Sequence, residues 1–356
     1  MDGVDILISK ADVTATTVAA APLAPLAEGE ARLRIELLAL TANTVTYAVA
    51  GDAFGYWRFF PAPEGFFKPP AWGFAVIEES RAQGVAAGER IYGFFPVASH
   101  LTVCPGKTDV SGFTDVTAHR QGLPPIYNRY HRVASDPTYR AENEPLIAAF
   151  RPLFATAFLL NAMIVRANAF GAEQIIISSA SSKTGYALGY LAGLGRVETV
   201  GLTSPANRAF AERLGVFRQT RVYDEIASLN PSAPSVYVDM AGAADITRSV
   251  HAHFGEALKH SAVVGMTHWR APRGRGAPVG VAPTLFFAPD HAMALTREWG
   301  AEAFETRLAE EMAVFLAFVV PMLRQRCVRG PAAAAEAFGR TAEGAVDPSE
   351  ILTLQL

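Results

Sequence analysis

Between Gln174 and Arg208 the chain changes rhythm three times. An apolar run, Ile175–Ile177, enters a Ser-rich turn over 178–184. A helix-like segment follows from Gly185 to Leu194, stopped by Gly195, and a second apolar run covers Val197–Leu202. Strand, tight turn, helix and strand make the βαβ order in which a helix N-terminus receives a pyrophosphate. Upstream, Ala31–Leu40 alternates charged and apolar residues, as a half-buried strand does, and Phe74–Glu79 and Arg90–Phe95 read as further strands. Downstream the pattern predicts a helix at Pro205–Leu214, a short strand near Val222 and a strand at Ser235–Met240. A helix at Ala243–His253 and a strand at Ala262–Met266 follow. With an apolar helix at Leu153–Val165 in front, this alternation predicts a parallel, doubly wound sheet. The tail reads as a long helix, Ala301–Leu323, an Ala-rich helix near Pro331–Phe338 and a final strand, ILTLQL.

Two stretches break the alternation. Between Gly51 and Gly73, Gly and Pro punctuate a run of aromatic residues that includes Phe54, Tyr56, Trp57, Phe59, Phe60, Phe66, Phe67 and Trp72. Such density is either a small satellite core or one wall of an apolar pocket, and the packed core is the reading favoured. A polar, Tyr- and Arg-rich connector then spans Leu123–Ala149.

At 356 residues the expectation is about two domains. Half of the residues are hydrophobic and 18% charged, which marks a core-rich globular chain, and a net charge of -3 with no basic block gives no pointer to nucleic acid. Two cysteines, Cys104 and Cys327, exclude a disulfide scaffold and a cysteine-rich zinc site. Cys104 reads as a small buried hydrophobe. The start has acids where a signal peptide would be cationic. The apolar stretch Met312–Leu323 is shorter than the ~20 residues of a bilayer span and contains Pro321, so it is expected as a buried helix. These features lead to the expectation of a cytoplasmic protein that engages no membrane.

The order of the motifs resembles the medium-chain dehydrogenase/reductase superfamily, in its zinc-free, quinone-oxidoreductase-like branch. The similarity is carried by EGEARLRIELLALTANTVTYAVAGD, AAGERIYGFF, FATAFLL, SPANRAFAERLG and VYVDMAG, and it extends over nearly the whole chain. Within that superfamily PAWGFAVIEES, LPPIYNRY, RPLFATAFLL and FFAPD are most similar to a bacterial family with no assigned activity. The resemblance implies a β-rich, GroES-like catalytic domain at 1–145, completed by 286–356, and a Rossmann NADP-binding domain inserted at 146–285. It also implies a homodimer.

The Ser-rich turn departs from the usual fingerprint. Ser179 and Ser182 stand where the first two glycines are expected, and only Gly185 is kept. Glycines allow a tight bend and close backbone approach to the phosphates, whereas serines bring hydroxyl donors and Lys183 a positive charge. The alternative is a Ser-capped helix N-terminus without a ligand. A P-loop is excluded, since Ile177 and Ser182 occupy its glycine positions. Ser179, Ser181, Ser182, Lys183, Thr184 and Gly185 are therefore the candidate pyrophosphate residues. The second strand has no acid at its C-terminal end; Glu198 lies at its start, and Thr203, Ser204, Asn207 and Arg208 follow it. Hydroxyls and a guanidinium suit a 2′-phosphate, which favours NADP(H), against a solvated Arg208 as the plain alternative.

For catalysis, the resemblance implies that Asn43 and Tyr47 line the nicotinamide end of the cleft, with Thr46 where relatives have Asp. No zinc is expected, because Asn43 stands where the first metal ligand would be. Tyr56 and Trp72 are candidate walls of a substrate site, and His268, after the strand AVVGM, is a candidate proton donor. For each, a packed structural role is an equal reading. Asp239 is expected to cap the turn after its strand rather than act in chemistry. His251, His253 and His260 are expected at the surface, and the cationic run Arg270–Gly276 as a cover loop or a solvated loop. Taken together, the expectation is an NADP(H)-dependent, zinc-free oxidoreductase acting on an apolar or aromatic quinone- or enone-type carbonyl. The alternatives are a non-catalytic NADP(H)-binding or sensing protein on the same fold, and a non-redox enzyme that binds no nucleotide.

Overall fold

The computed structural model describes residues 2–136, 139–195, 197–265 and 279–356. The chain divides into two compact units. The first comprises 1–149 and 324–356, and the second 150–323. The chain thus rejoins the first unit at Arg324, whereas the resemblance implies a return near 286.

The first unit is built on β-strands, and its central ones are buried along most of their length rather than at alternate positions. A nine-stranded sheet has Ala31–Leu40 and Pro70–Ser80 at its centre, flanked by Arg90–Pro96 on one side and the C-terminal strand Glu350–Gln355 on the other. Leu33, Ile35 and Leu38 of the first of these strands are buried, while Arg34 is exposed. The C-terminal strand pairs antiparallel with Ala31–Leu40 (Leu352 opposite Leu40), so the C-terminal tail extends the sheet of the N-terminal part. Beyond it lies a strand the sequence pattern did not suggest, Arg324–Arg329, parallel to Glu350–Gln355. A short helix, Ala42–Val49, follows the first central strand; Thr44 Oγ1 accepts the Thr41 amide at its start (3.3 Å).

The second unit carries the parallel sheet. We label its strands β1 (Gln174–Ile177), β2 (Glu198–Thr203), β3 (Gln219–Val222), β4 (Ser235–Asp239), β5 (Leu258–Val263) and β6 (Thr284–Leu285). Their spatial order is β3-β2-β1-β4-β5-β6, all parallel. This order places the topological switch between β1 and β4, where open α/β sheets bind ligands at the strands' C-terminal ends. Ile176, Val200, Leu202, Tyr237, Val250, Phe254 and Leu258 form one buried cluster beneath the helices. β5 begins four residues earlier than its apolar pattern suggests, because Leu258 is buried at its start and pairs with Ser235 of β4 ahead of a register shift that sets His260 opposite Val236.

Among the described residues one helix, Ala141–Arg166, has the length and apolarity to cross a membrane. Phe150, Phe154, Leu160 and Ile164 on it are buried, and Phe150 and Phe154 pack on Phe315 at 5.6 and 5.1 Å between centroids, so it serves as a core helix. The helix Ala301–Val319 is shorter than expected and mostly exposed, not the buried helix its apolar end suggests. Phe315 and Val319 face inward, but Val314 and Phe318 are exposed, because the apolar residues run all round a helix that packs on one side. A separate helix, Ala288–Trp299, precedes it.

Candidate functional site

The Ser-rich turn leaves β1 at the switch point and leads into the helix Lys183–Gly193. Ser178 donates its hydroxyl to Asp239 Oδ1 (3.0 Å) across the switch and accepts the Met240 amide (2.9 Å). Asp239 in turn accepts the Ala241 and Gly242 amides (3.0 and 2.9 Å) and the Thr247 hydroxyl (2.8 Å), so the acid caps the turn after β4. Ser179 takes a left-handed conformation, φ 48°, at a position where the fingerprint has glycine. Ser182 caps the helix, its Oγ accepting the Gly185 amide at 3.1 Å. A Cβ on Gly185 would stand 2.6 Å from the Ser179 carbonyl oxygen and 2.9 Å from Ser182 Oγ, so only glycine lets the helix start this close to the turn. Thr184, the second helical residue, has no carbonyl to reach within the helix, which makes its amide a donor for an anion at the N-terminus.

Two further segments arrive at the same edge of the sheet. Thr203 at the end of β2 is buried and donates its hydroxyl to Ser181 Oγ (3.4 Å), tying the second strand to the turn. After it Ser204 precedes a single 3-10 turn, Pro205–Asn207, and Arg208 opens the helix Arg208–Leu214. Its guanidinium is paired twice, with Glu212 Oε1 through Nε (2.8 Å) and with Glu225 Oε1 through Nη1 (3.0 Å). These carboxylates raise its pKa, the Glu212 hydrogen bond most. The third segment follows β3, where the Tyr223 hydroxyl accepts the Ser179 amide at 3.2 Å. Burial raises the Tyr223 pKa, so the hydroxyl stays protonated beside the turn. The ten candidates from Ser179 to Arg208 therefore lie where the chain leaves β1 and β2, in the two connections and at the starts of the helices that follow.

In the first unit the candidate catalytic residues meet. Asn43 and Tyr47 are four residues apart on one face of the helix Ala42–Val49, and Asn43 Nδ2 donates to the Tyr47 hydroxyl at 2.7 Å. Trp72 Nε1, from the strand Pro70–Ser80, donates to the same oxygen at 3.0 Å. With both lone pairs occupied, the Tyr47 hydroxyl is a donor. Burial pushes its pKa well up, with Tyr56 adding to the effect, and this keeps the proton on the oxygen. Tyr56 lies 4.6 Å from Tyr47 between ring centroids, and its hydroxyl sits 3.1 Å from that of Tyr127. Phe59 and Phe94 complete a packed aromatic cluster, as the packed-core reading anticipates.

Tyr127 and Tyr223 were not singled out by the sequence; Tyr127 lies within LPPIYNRY, and Tyr223 directly follows β3. His268 and Arg270–Gly276 lie outside the described residues. His251 is a correction. It is fully buried, its Nε2 2.9 Å from Ser261 Oγ and its Nδ1 3.0 Å from the Val279 carbonyl, because it bridges its helix to β5. His253 and His260 are part-buried, with His260 stacked on Phe170 at 4.1 Å. Cys104 is only part-buried, and its amide donates to Asp115. Among the described residues no three His, Cys, Asp or Glu side chains are grouped as a metal site.

Solved structures share this architecture. CurA from Vibrio vulnificus, in complex with NADPH, matches over 99% of this chain and 98% of its own, with a TM-score of 0.63 and 12% identity. A putative NADPH:quinone reductase from Bacillus thuringiensis matches over 100% and 99%, with a TM-score of 0.58 and 12% identity. Mycobacterial Rv1454c, complexed with NADPH, matches over 99% and 100%, with a TM-score of 0.59 and 13% identity. At such identities the likeness is one of fold, a GroES-like β-rich domain with a Rossmann domain. No curated protein matches the sequence. A family described as "Protein of unknown function (DUF2855)" matches residues 38–347. The chain belongs to that family, and its fold is that of the quinone-oxidoreductase-like medium-chain dehydrogenase/reductases.

Proposed function

We propose that this protein is an NADP(H)-dependent, zinc-free oxidoreductase that moves hydride to or from a quinone- or enone-type small molecule. The observation that carries the reading is the Ser-rich turn at the switch point of a sheet ordered β3-β2-β1-β4-β5-β6, with a capped helix N-terminus behind it. The residues present suit a dinucleotide. The Thr184 amide and the Ser181 and Ser182 region would hold the pyrophosphate, and Ser204 and Arg208 the adenosine end. Bound NADPH would supply the hydride.

Enone reduction gives the reaction its balance. Bound NADPH would supply hydride to the β-carbon, negative charge would develop on the carbonyl oxygen, and water would supply the proton to the α-carbon, leaving a saturated carbonyl and NADP+. The Tyr47 hydroxyl, fixed by Asn43 and Trp72, is suited to donate to that oxygen as charge develops. A second reading, a nucleotide sensor without turnover, is favoured by the engagement of the Tyr56 hydroxyl with Tyr127 and by the Tyr223 hydroxyl on the Ser179 amide.

Mixing the protein with NADPH and a panel of enones and quinones, while following loss of the nicotinamide absorbance, tests the proposal. Oxidation by at least one acceptor is expected, reduced about 100-fold in Tyr47→Phe if its hydroxyl is the donor. Tight NADPH binding with no oxidation by any acceptor supports the sensor instead.

A further inference from the structure

Where an NAD-selective sheet carries an acid at the end of its second strand, this one has none on β2. It has one in the 3-10 segment that follows the neighbouring strand, β3. Thr203 and Val222 are paired in register, so the chain leaves β2 and β3 side by side at the same edge. The β3 exit places Glu225 against Arg208. One Glu225 oxygen, Oε2, accepts the Val222 amide at 3.2 Å and closes the turn; the other, Oε1, receives Arg208 Nη1 at 3.0 Å. The Val222 amide, Arg208 and Arg221 together hold this carboxyl below the usual range, so it is charged at neutral pH. Glu212 is different. It is an i,i+4 partner on an exposed helix face, free to swing away at little cost, whereas Glu225 is anchored by a backbone hydrogen bond.

We infer that Glu225 competes with the nucleotide 2′-phosphate for Arg208 and thereby limits the preference for NADPH over NADH. The inference rests on the nucleotide reading above. A dianionic phosphate arriving at Arg208 meets a guanidinium already matched by two carboxylates. It must displace Glu225 from the cation or bind with that like charge beside it. NADH, with a hydroxyl at that position, meets no such conflict.

The test is an equilibrium titration of wild type, Glu225→Gln, Arg208→Gln and the double variant with NADPH and with NADH, read by nicotinamide fluorescence. Glutamine keeps an oxygen for the Val222 amide and removes the charge. Glu225→Gln is expected to tighten NADPH about five-fold and to leave NADH within about two-fold. Arg208→Gln should weaken NADPH and erase the gain in the double variant. A Glu225→Gln affinity that is unchanged for NADPH, or that rises equally for both nucleotides, overturns this inference alone. Failure of every variant and of wild type to bind either nucleotide overturns the functional reading and this inference together.

Discussion

Ser179 shows how far a single position governs the site. At φ 48° an L-residue pays steric strain that glycine avoids, on the order of 1–2 kcal/mol, partly offset by glycine's greater loss of chain entropy. Ser179→Gly should therefore stabilise the protein by about 0.5 kcal/mol in chemical denaturation, and a clear loss of stability would show that the hydroxyl matters more than the backbone. The tyrosines make a second prediction at this scale. Burial pushes the Tyr130 hydroxyl up from 10.0 to about 12. Its folded pKa lies above its unfolded one, so the neutral form contributes fully below pH 10 and the contribution fades as pH rises through about 12. Tyr47, Tyr56 and Tyr127 are shifted in the same direction by burial. Thermal melts in that alkaline window should fall steeply for wild type and less steeply for Tyr130→Phe; parallel curves would contradict the assignment.

At the scale of elements, the turn after β1 is held from two sides, by Asp239 through Ser178 and by Tyr223 through the Ser179 amide. Asp239→Ala would strand the Ser178 and Thr247 hydroxyls and two amides, at a cost of about 3 kcal/mol in unfolding free energy. Gly185→Ala should cost about 1–3 kcal/mol, since its methyl must push back the Ser179 carbonyl. A neutral result for either would mean that the turn relaxes freely. The βαβ unit was legible in the sequence because Ile175–Ile177, Gly185 and Gly195 mark its bounds within one short stretch. The strand Arg324–Arg329 was not. It is exposed at five of six positions on a sheet edge, so no apolar alternation announces it. The helix Ala42–Val49 was hidden for another reason: Thr44, Val45 and Thr46 give it a β-branched centre, and it is held by burial of Tyr47 and Ala48 rather than by propensity. The reach of Glu225 to Arg208 was equally hidden, because it depends on register between β2 and β3.

At the scale of the whole molecule, two units of different construction each hold one half of the proposed chemistry. The antiparallel unit gathers Asn43, Tyr47 and Trp72 around one hydroxyl, and the parallel unit gathers the Ser-rich turn and Arg208. Residue types and spacing made the two sets of candidates legible. They did not reveal Tyr127 or Tyr223, whose roles arise from neighbours distant in sequence. The central claim is that the modified turn still receives a nucleotide. Titration of the wild-type protein with NADPH, followed by nicotinamide fluorescence, tests it most directly. Saturable binding of one NADPH per chain, tighter than that of NADH, is the predicted result; fluorescence that never saturates with either nucleotide would contradict it.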